Sequence, residues 1–449
     1  MEVVLIKLAQ LILSLSILVI IHEFGHFILA RIFKTRVEKF YLFFDPWFSL
    51  IKFKKGDTEY GIGWVPLGGY VKISGMIDES MDKEAMKLPP QPYEFRAKKT
   101  WQRLLIMLGG AFMNFILAFI IYIGILYAWG EQYLPTANVK YGIEVDSVGE
   151  KIGLRNGDMI LSVGNQKVEN FNKIITTVVF DNARNIQVER NGEKVNVEIS
   201  DDAIALLIKS RGVITFRTPF DYKVFRITKN SAAKTAGLMP GDQILGMNNQ
   251  KYQFNDQFKT ALKDSIGKTI ALNVLRNNLE LTLPLTVPKS GMMGIELRPD
   301  VEKLFEFKTI KYGLLESIPA GINKGFRTLG DYLKQFKLIF SPKTKAYESL
   351  GGFIAIGNIF PGMWDWFSFW TMTALLSIIL GVMNLLPIPA LDGGHVMFLL
   401  FEMITGRKPG DKFMEYAQIT GMALLFALMI YANGNDVVKH WDDFLNLFK

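Results

Sequence analysis

Cysteine is absent from all 449 residues, so neither a disulfide nor a thiolate-bound metal is available. Any exported part of the chain must therefore hold together by core packing alone. Histidine is scarce, and the four imidazoles are those of His22, His26, His395 and His440. Acidic residues, 43 in number, are outweighed by 51 Lys and Arg, for a formal net charge of +8. No nucleic-acid-binding motif accompanies that excess, and basic residues also gather on the cytoplasmic side of membrane proteins, so nucleic acid is not an expected partner.

Apolar residues make up 49% of the chain and are concentrated at residues 3–21, 104–129, 366–386 and 416–432. Each run approaches the ~20 residues that a helix needs to cross ~30 Å of hydrocarbon, so a polytopic α-helical membrane protein with about four transmembrane helices is expected. The first run has only Lys7 as a nearby cation and no small-residue cleavage site, and reads as a retained anchor rather than a signal peptide. Arg31, Lys34, Arg36 and Lys39 follow it, and Arg96, Lys98, Lys99 and Arg103 precede the second run. Their charge places that loop in the cytoplasm, with the N-terminus and the long segment 130–365 outside.

The long segment changes character, with alternating strands and Asn-Gly turns, and it repeats. Ser147 to Asp158, ending Gly153-Leu154-Arg155-Asn156-Gly157-Asp158, recurs as Ser231 to Asp242, ending Gly237-Leu238-Met239-Pro240-Gly241-Asp242. Two copies of one domain are implied. The second copy, Ser231-Ala232-Ala233-Lys234-Thr235-Ala236-Gly237-Leu238 followed by Gly241-Asp242, resembles the bacterial PDZ pattern, which implies an α+β domain that binds extended peptide by strand addition. The expected organisation is 1–130 for the first two spans and their loop, 131–210 and 211–290 for two PDZ-like domains, 291–365 for an amphipathic connection, and 366–449 for the last two spans.

The first apolar run continues into His22-Glu23-Phe24-Gly25-His26. Two imidazoles four residues apart share one face of a helix and can reach one metal ion, while Glu23 is placed to take a proton from water. Ionisable groups inside a span are costly and rare unless they work. A third ligand is needed. The third run ends in Asn384-Leu385-Leu386-Pro387-Ile388-Pro389-Ala390-Leu391-Asp392-Gly393-Gly394-His395, a Pro/Gly-broken stretch that brings Asp392 to membrane depth, with His395 as the alternative donor. Helix capping is the plain structural reading of Asp392.

Together these two stretches resemble the signature motifs of the site-2 proteases, and the order of spans and exported domains is similar to the envelope-stress regulator proteases of bacteria. The resemblance implies that His22, His26 and Asp392 bind Zn2+, that Glu23 is the general base, and that Asn384 holds substrate or the developing oxyanion. It further implies a membrane-associated β-hairpin at Glu59–Ile73, turning at Pro66-Leu67-Gly68-Gly69, where Gly68 and Gly69 lie on an edge that pairs with an unwound substrate helix. One departure is Gly110-Ala111-Phe112-Met113-Asn114 in the second span, where the family often has Gly-Pro-x-x-Asn.

The expected function is intramembrane zinc endopeptidase activity on single-pass membrane proteins, either anti-sigma factors or remnant signal peptides, in the bacterial inner membrane with the active site near the cytoplasmic side. The exported domains would screen out bulky ectodomains. A non-catalytic PDZ scaffold with a structural metal is the competing reading; an intact Glu23 beside a full ligand set favours the enzyme. A metal transporter fits less well, because the charged groups sit at one span end and one loop.

Overall fold

The computed structural model describes residues 2–76, 89–181, 183–210, 213–297, 301–339 and 351–439. His440 lies outside them, as do parts of the expected 291–365 connection. The chain forms two compact units, one built from the N-terminal segment, residues 311–336 and the C-terminal segment, the other from Glu131–Ile310.

Long helices dominate the first unit: α1 (Glu2–Ile32), α2 (Thr100–Ala128), α3 (Leu314–Ile339), α4 (Trp366–Asn384), α5 (Asp392–Thr405) and α6 (Asp411–Lys439). Among the described residues, α1, α2, α4 and α6 are long and apolar enough to span a membrane. A helix satisfies its own backbone in hydrocarbon, which leaves side chains to bring neighbours together. Small and polar residues do this here. A β-carbon on Gly109 would fall 2.6 Å from the Gly25 carbonyl oxygen, so α1 and α2 cross almost backbone to backbone. The Thr373 hydroxyl of α4 lies 3.0 Å from that of Ser14 on α1, and Ser377 donates to the Asn114 carbonyl on α2 at 2.7 Å. Helix α3 is amphipathic, and Gly321 and Gly325 bring it against Ile123 and Phe119 of α2.

Between α1 and α2 lies a four-stranded sheet of β1 (Val37–Phe44), β2 (Ile51–Lys55), β3 (Thr58–Ile62) and β4 (Val65–Ile73), in the order β2-β3-β1-β4. This corrects the expected hairpin. Strand β3 runs parallel to β1, from Lys39 opposite Glu59 to Leu42 opposite Ile62, and β4 pairs antiparallel with the other side of β1. The physical reason is Tyr41, fully buried on β1, whose hydroxyl would stand 2.8 Å from any β-carbon at Gly61 and donates to Glu59 at 2.7 Å. Pro66-Leu67-Gly68-Gly69 consequently runs within β4 rather than turning the chain.

The second unit contains two hydrophobic cores. The first gathers Leu134, Ile143, Leu154, Ile186, Val188 and Leu207, together with Val213 and Phe305 from outside residues 131–210. Its strands are β5 (Glu131–Tyr133), β6 (Ile143–Val145), β7 (Met159–Val163), β8 (Asn185–Arg190), β9 (Glu193–Glu198) and β10 (Ile214–Phe216), in β7-β8-β9 and β6-β10 sheets. Around the second core, β11 (Tyr222–Ile227), β12 (Gln243–Met247), β13 (Thr269–Arg276), β14 (Leu279–Thr286) and β15 (Ile295–Leu297) form one sheet ordered β14-β13-β12-β11-β15. A final strand, β16 (Lys308–Ile310), returns to pair with β5.

The sequence repeat has a counterpart in side-chain geometry. Arg190 Nε and Nη2 donate to both oxygens of Asp158 at 2.8 Å, and Nη2 also reaches the Gly153 carbonyl. Arg276 makes the same fork on Asp242 at 2.7 Å and reaches the Gly237 carbonyl. In each copy a bidentate pair ties the Gly-Asp turn to the third of four successive strands.

Candidate metal centre

Helix α1 carries His22, Glu23 and His26 through the middle of the first unit without a break. Both imidazoles are buried. Helix α4 stops at Asn384, since Pro387 and Pro389 cannot continue it, and the following loop folds back so tightly that a β-carbon on Gly394 would lie 2.6 Å from the Ile388 carbonyl oxygen. Ala390 takes a left-handed φ of 93°, unusual for a residue with a side chain. Gly421 of α6 lets that helix close against the Pro389 carbonyl from behind. The loop thereby delivers Asp392 at the first turn of α5. At the other end of α5, Glu402 is held to α2 by Arg103 at 2.5 Å and Thr100 at 3.1 Å.

Asp392 Oδ2 stands 3.2 Å from Nε2 of His22 and 3.2 Å from Nε2 of His26, and the two nitrogens are 3.3 Å apart. Ligands at ~2.0–2.2 Å from one tetrahedral zinc would be separated by about 3.3 Å. The carboxylate oxygen is buried without a correctly angled hydrogen bond, and Asp392 does not cap its helix, whose N-cap is Leu391. Among the described residues this is the one group of three such side chains converging on a point. His395 lines the same cavity but is not part of the converging set.

Surrounding groups prepare the imidazoles. His26 Nδ1 donates to the Ile106 carbonyl of α2 at 2.8 Å, which leaves Nε2 as a free donor for a metal. The Asn114 amide lies 3.2 Å from His22 Nδ1, with Oδ1 buried and unpartnered. A half-turn of that amide brings Oδ1 to Nδ1–H and fixes His22 in the same tautomer. Space is provided by Gly110, whose missing side chain leaves open the volume in front of both Nε2 atoms. Three donors at ligand spacing, oriented from behind and facing a gap a single β-carbon would fill, fit a zinc ion.

The centre opens onto a cavity of about 710 Å³. Glu23 lines it beside the ligands, and the Asn384 amide nitrogen lies 3.3 Å from His22 Nε2. Gly68 and Gly69 form its wall: a β-carbon on Gly69 would meet Val19 at 2.7 Å and Glu23 Cγ at 3.5 Å, and one on Gly68 would meet the Phe44 ring at 2.9 Å. The structure thus brings all seven residues singled out from sequence to one site. It adds Gly110, Asn114, Lys39, Lys72 and Gln418. Of these, Gly110 and Asn114 had a signal in the sequence, as the two positions of the second span that keep the family's Gly-Pro-x-x-Asn pattern.

Comparison with known proteins agrees with this geometry. The sequence profile described as Peptidase family M50 matches residues 10–428. A Haemophilus influenzae protein named "Regulator of sigma E protease" is 27% identical over 461 aligned positions, covering 96% of this chain and 99% of that relative. A Treponema pallidum protein named "Putative zinc metalloprotease" is 28% identical over 457 positions, again covering 96% and 99%.

Proposed function

Since this chain belongs to peptidase family M50 and is a zinc metalloprotease and integral membrane protein, we propose that it is an endopeptidase cutting single-pass membrane proteins within the bilayer. The observation that carries the proposal is the convergence of His22 and His26, beside Glu23 on a helix of membrane-spanning length, with Asp392 from the loop that follows another. These three residues would hold the ion. Zinc bound there would acidify a water and polarise the scissile carbonyl.

The chain's own groups perform the rest. The Glu23 carboxylate takes the proton from the attacking water and returns it to the leaving amine. Asn384 offers its amide N–H groups to the oxygen on which negative charge develops. A helical peptide bond is shielded by its own hydrogen bonding, so the substrate must be extended before attack. Strand β4 is an edge strand of its sheet, and Gly68 and Gly69 let it pack close to Phe44 and to Val19 and Glu23 of α1, so that its free edge would receive a substrate strand beside Glu23.

The name of the Haemophilus relative supports substrates of the anti-sigma-factor kind, with remnant signal peptides as a further class. The basic residues at 31–39 and 96–103 support an inner-membrane orientation with the N-terminus outside and the active site near the cytoplasmic face. The repeated Gly-Asp turns and their matching ion pairs support a tandem PDZ assignment for the second unit, as peptide-recognition modules. Cleavage of a reporter span by the purified protein in vesicles, with and without a zinc chelator, tests the proposal. Chelator-insensitive cleavage, or none at all from a zinc-replete preparation, would overturn it.

A further inference from the structure

Packing accounts for nearly all the polar side chains buried in the helices of membrane-spanning length. Gln10 donates to the Pro361 carbonyl, Ser14 and Thr373 meet one another, Ser377 donates to the Asn114 carbonyl, and Asp436 accepts from the Gly352 and Ala355 amides. Gln418 of α6 is the exception. It is only 9% exposed, yet among the described residues nothing hydrogen-bonds to its amide. A primary amide inside a span is costly unless it is satisfied or put to use. Gln418 lines the cavity that contains the metal centre. Gly421, three residues on and so on the same face of α6, closes against the Pro389 carbonyl, which turns Gln418 toward the loop that carries Asp392.

We infer that the Gln418 amide binds the backbone of the extended substrate, on the edge that β4 leaves uncovered. This deepens the proteolytic reading of the same cavity and rests on it. Gly69 faces Val19 and Glu23 of α1, and Gly68 faces the Phe44 ring on the other side of the strand, yet every residue from Gly68 to Ile73 lines the cavity. Side chains alternate between the faces of a strand, so the edge of β4 borders the space. A substrate strand laid on that edge satisfies only the peptide groups turned toward β4. At membrane depth those turned away need partners as well, because no bulk water is there to supply them. A carboxamide has both a donor and an acceptor, the complement of one peptide N–H and C=O. Asn384 serves the developing oxyanion, which leaves Gln418 for a peptide unit beside the scissile one. Because it reads backbone alone, the contact favours spans that become extended over those that stay helical, whatever their side chains.

The test uses the full-length enzyme in phosphatidylcholine vesicles and a fluorogenic single-span peptide in which an ester replaces one backbone amide at a time, near but not at the cleaved bond. Gln418→Met is the variant, a straight chain that keeps the packing and removes the hydrogen bonds. It should keep its zinc and cut the all-amide peptide on the order of tenfold less well in kcat/KM, chiefly through KM. At one ester position the wild type should lose a similar factor while the variant loses nothing further, since each change removes the same contact. Esters facing β4 should cost both proteins equally. Ester costs that are the same in both proteins at every position overturn the inference. Loss of zinc from Gln418→Met also overturns it, because the amide would then act by holding the Asp392 loop. Should the variant be inactive, anisotropy of the same peptides on Glu23→Gln protein, with and without Gln418→Met, makes the comparison without turnover. No cleavage of any peptide by the zinc-loaded wild type would sink the proteolytic reading instead, and the anisotropy series would still decide whether Gln418 touches the backbone.

Discussion

A β-carbon on Gly110 would stand 2.6 Å from Cε1 of His22 and closer still to Nε2 of His26. In the proposed zinc site helix α2 would therefore take part without supplying a ligand, by leaving a space. Gly110→Ala should retain helical content and membrane insertion yet fall to a small fraction of wild-type zinc. Metal analysis of the purified variant alongside its circular dichroism checks this, and full zinc occupancy would show that the space is not needed.

Removal of the base and removal of the ligands should be separable. Glu23→Gln leaves His22, His26 and Asp392 in place, so zinc content should persist while turnover drops by roughly 10²–10⁴-fold. His22→Ala, His26→Ala and Asp392→Ala should lose metal as well as activity. Zinc stoichiometry and turnover measured on the same preparations distinguish the two patterns. An active Glu23→Gln enzyme would contradict the assigned role.

Asn384 lies against His22 but outside the converging donors, so Asn384→Ala should keep its zinc and lose turnover by about 10²-fold, the usual cost of an oxyanion donor. The loss is expected in kcat rather than KM. A variant with unchanged kcat would place the amide outside the reaction.

In the second unit, burial opposes ionisation of Asp242, but the Arg276 fork, the Met239 amide and the arginine charge outweigh it and hold the carboxyl below its ordinary range. A depressed folded-state pKa stabilises the fold above the unfolded value near 3.9 and loses that contribution as pH falls through the lower, folded value. Hydrogen-exchange protection factors along β11–β15 in the full-length protein, corrected for the intrinsic exchange rate at each pH, should therefore fall below about pH 4. Asp242→Asn should exchange faster already at neutral pH and show a flatter dependence in the acid range. Identical pH profiles for the two proteins would remove the pair from the stability of this core.

The centre was legible because its chemistry dictates residue type and spacing. His22 and His26 are one helical turn apart, and Asp392 stands in a stretch where prolines must break a helix. What the sequence hid was spatial. Strand β1 has Phe40, Tyr41, Leu42 and Phe43 in succession, with no two-residue alternation to mark it as central, so the sequence alone suggests that its neighbours pair with each other. Phe305 joins a core that otherwise lies nearly a hundred and more residues earlier, a return no local pattern announces. Gly110 stood out in the sequence only as part of a second-span pattern, and the position of two imidazoles is what gives its missing side chain a purpose.

The loop that presents Asp392 also sets an order of events during synthesis. His22 and His26 emerge early from the ribosome, whereas the carboxylate joins them only after the second unit and α4 have been made, and the loop carrying it is backed by α6, the last helix described. Two imidazoles alone make a weak, incomplete site. A chain that stops short of Asp392 therefore has an incomplete donor set, and hydrolytic competence is expected only late in assembly, once that loop has been made and α6 has closed behind it.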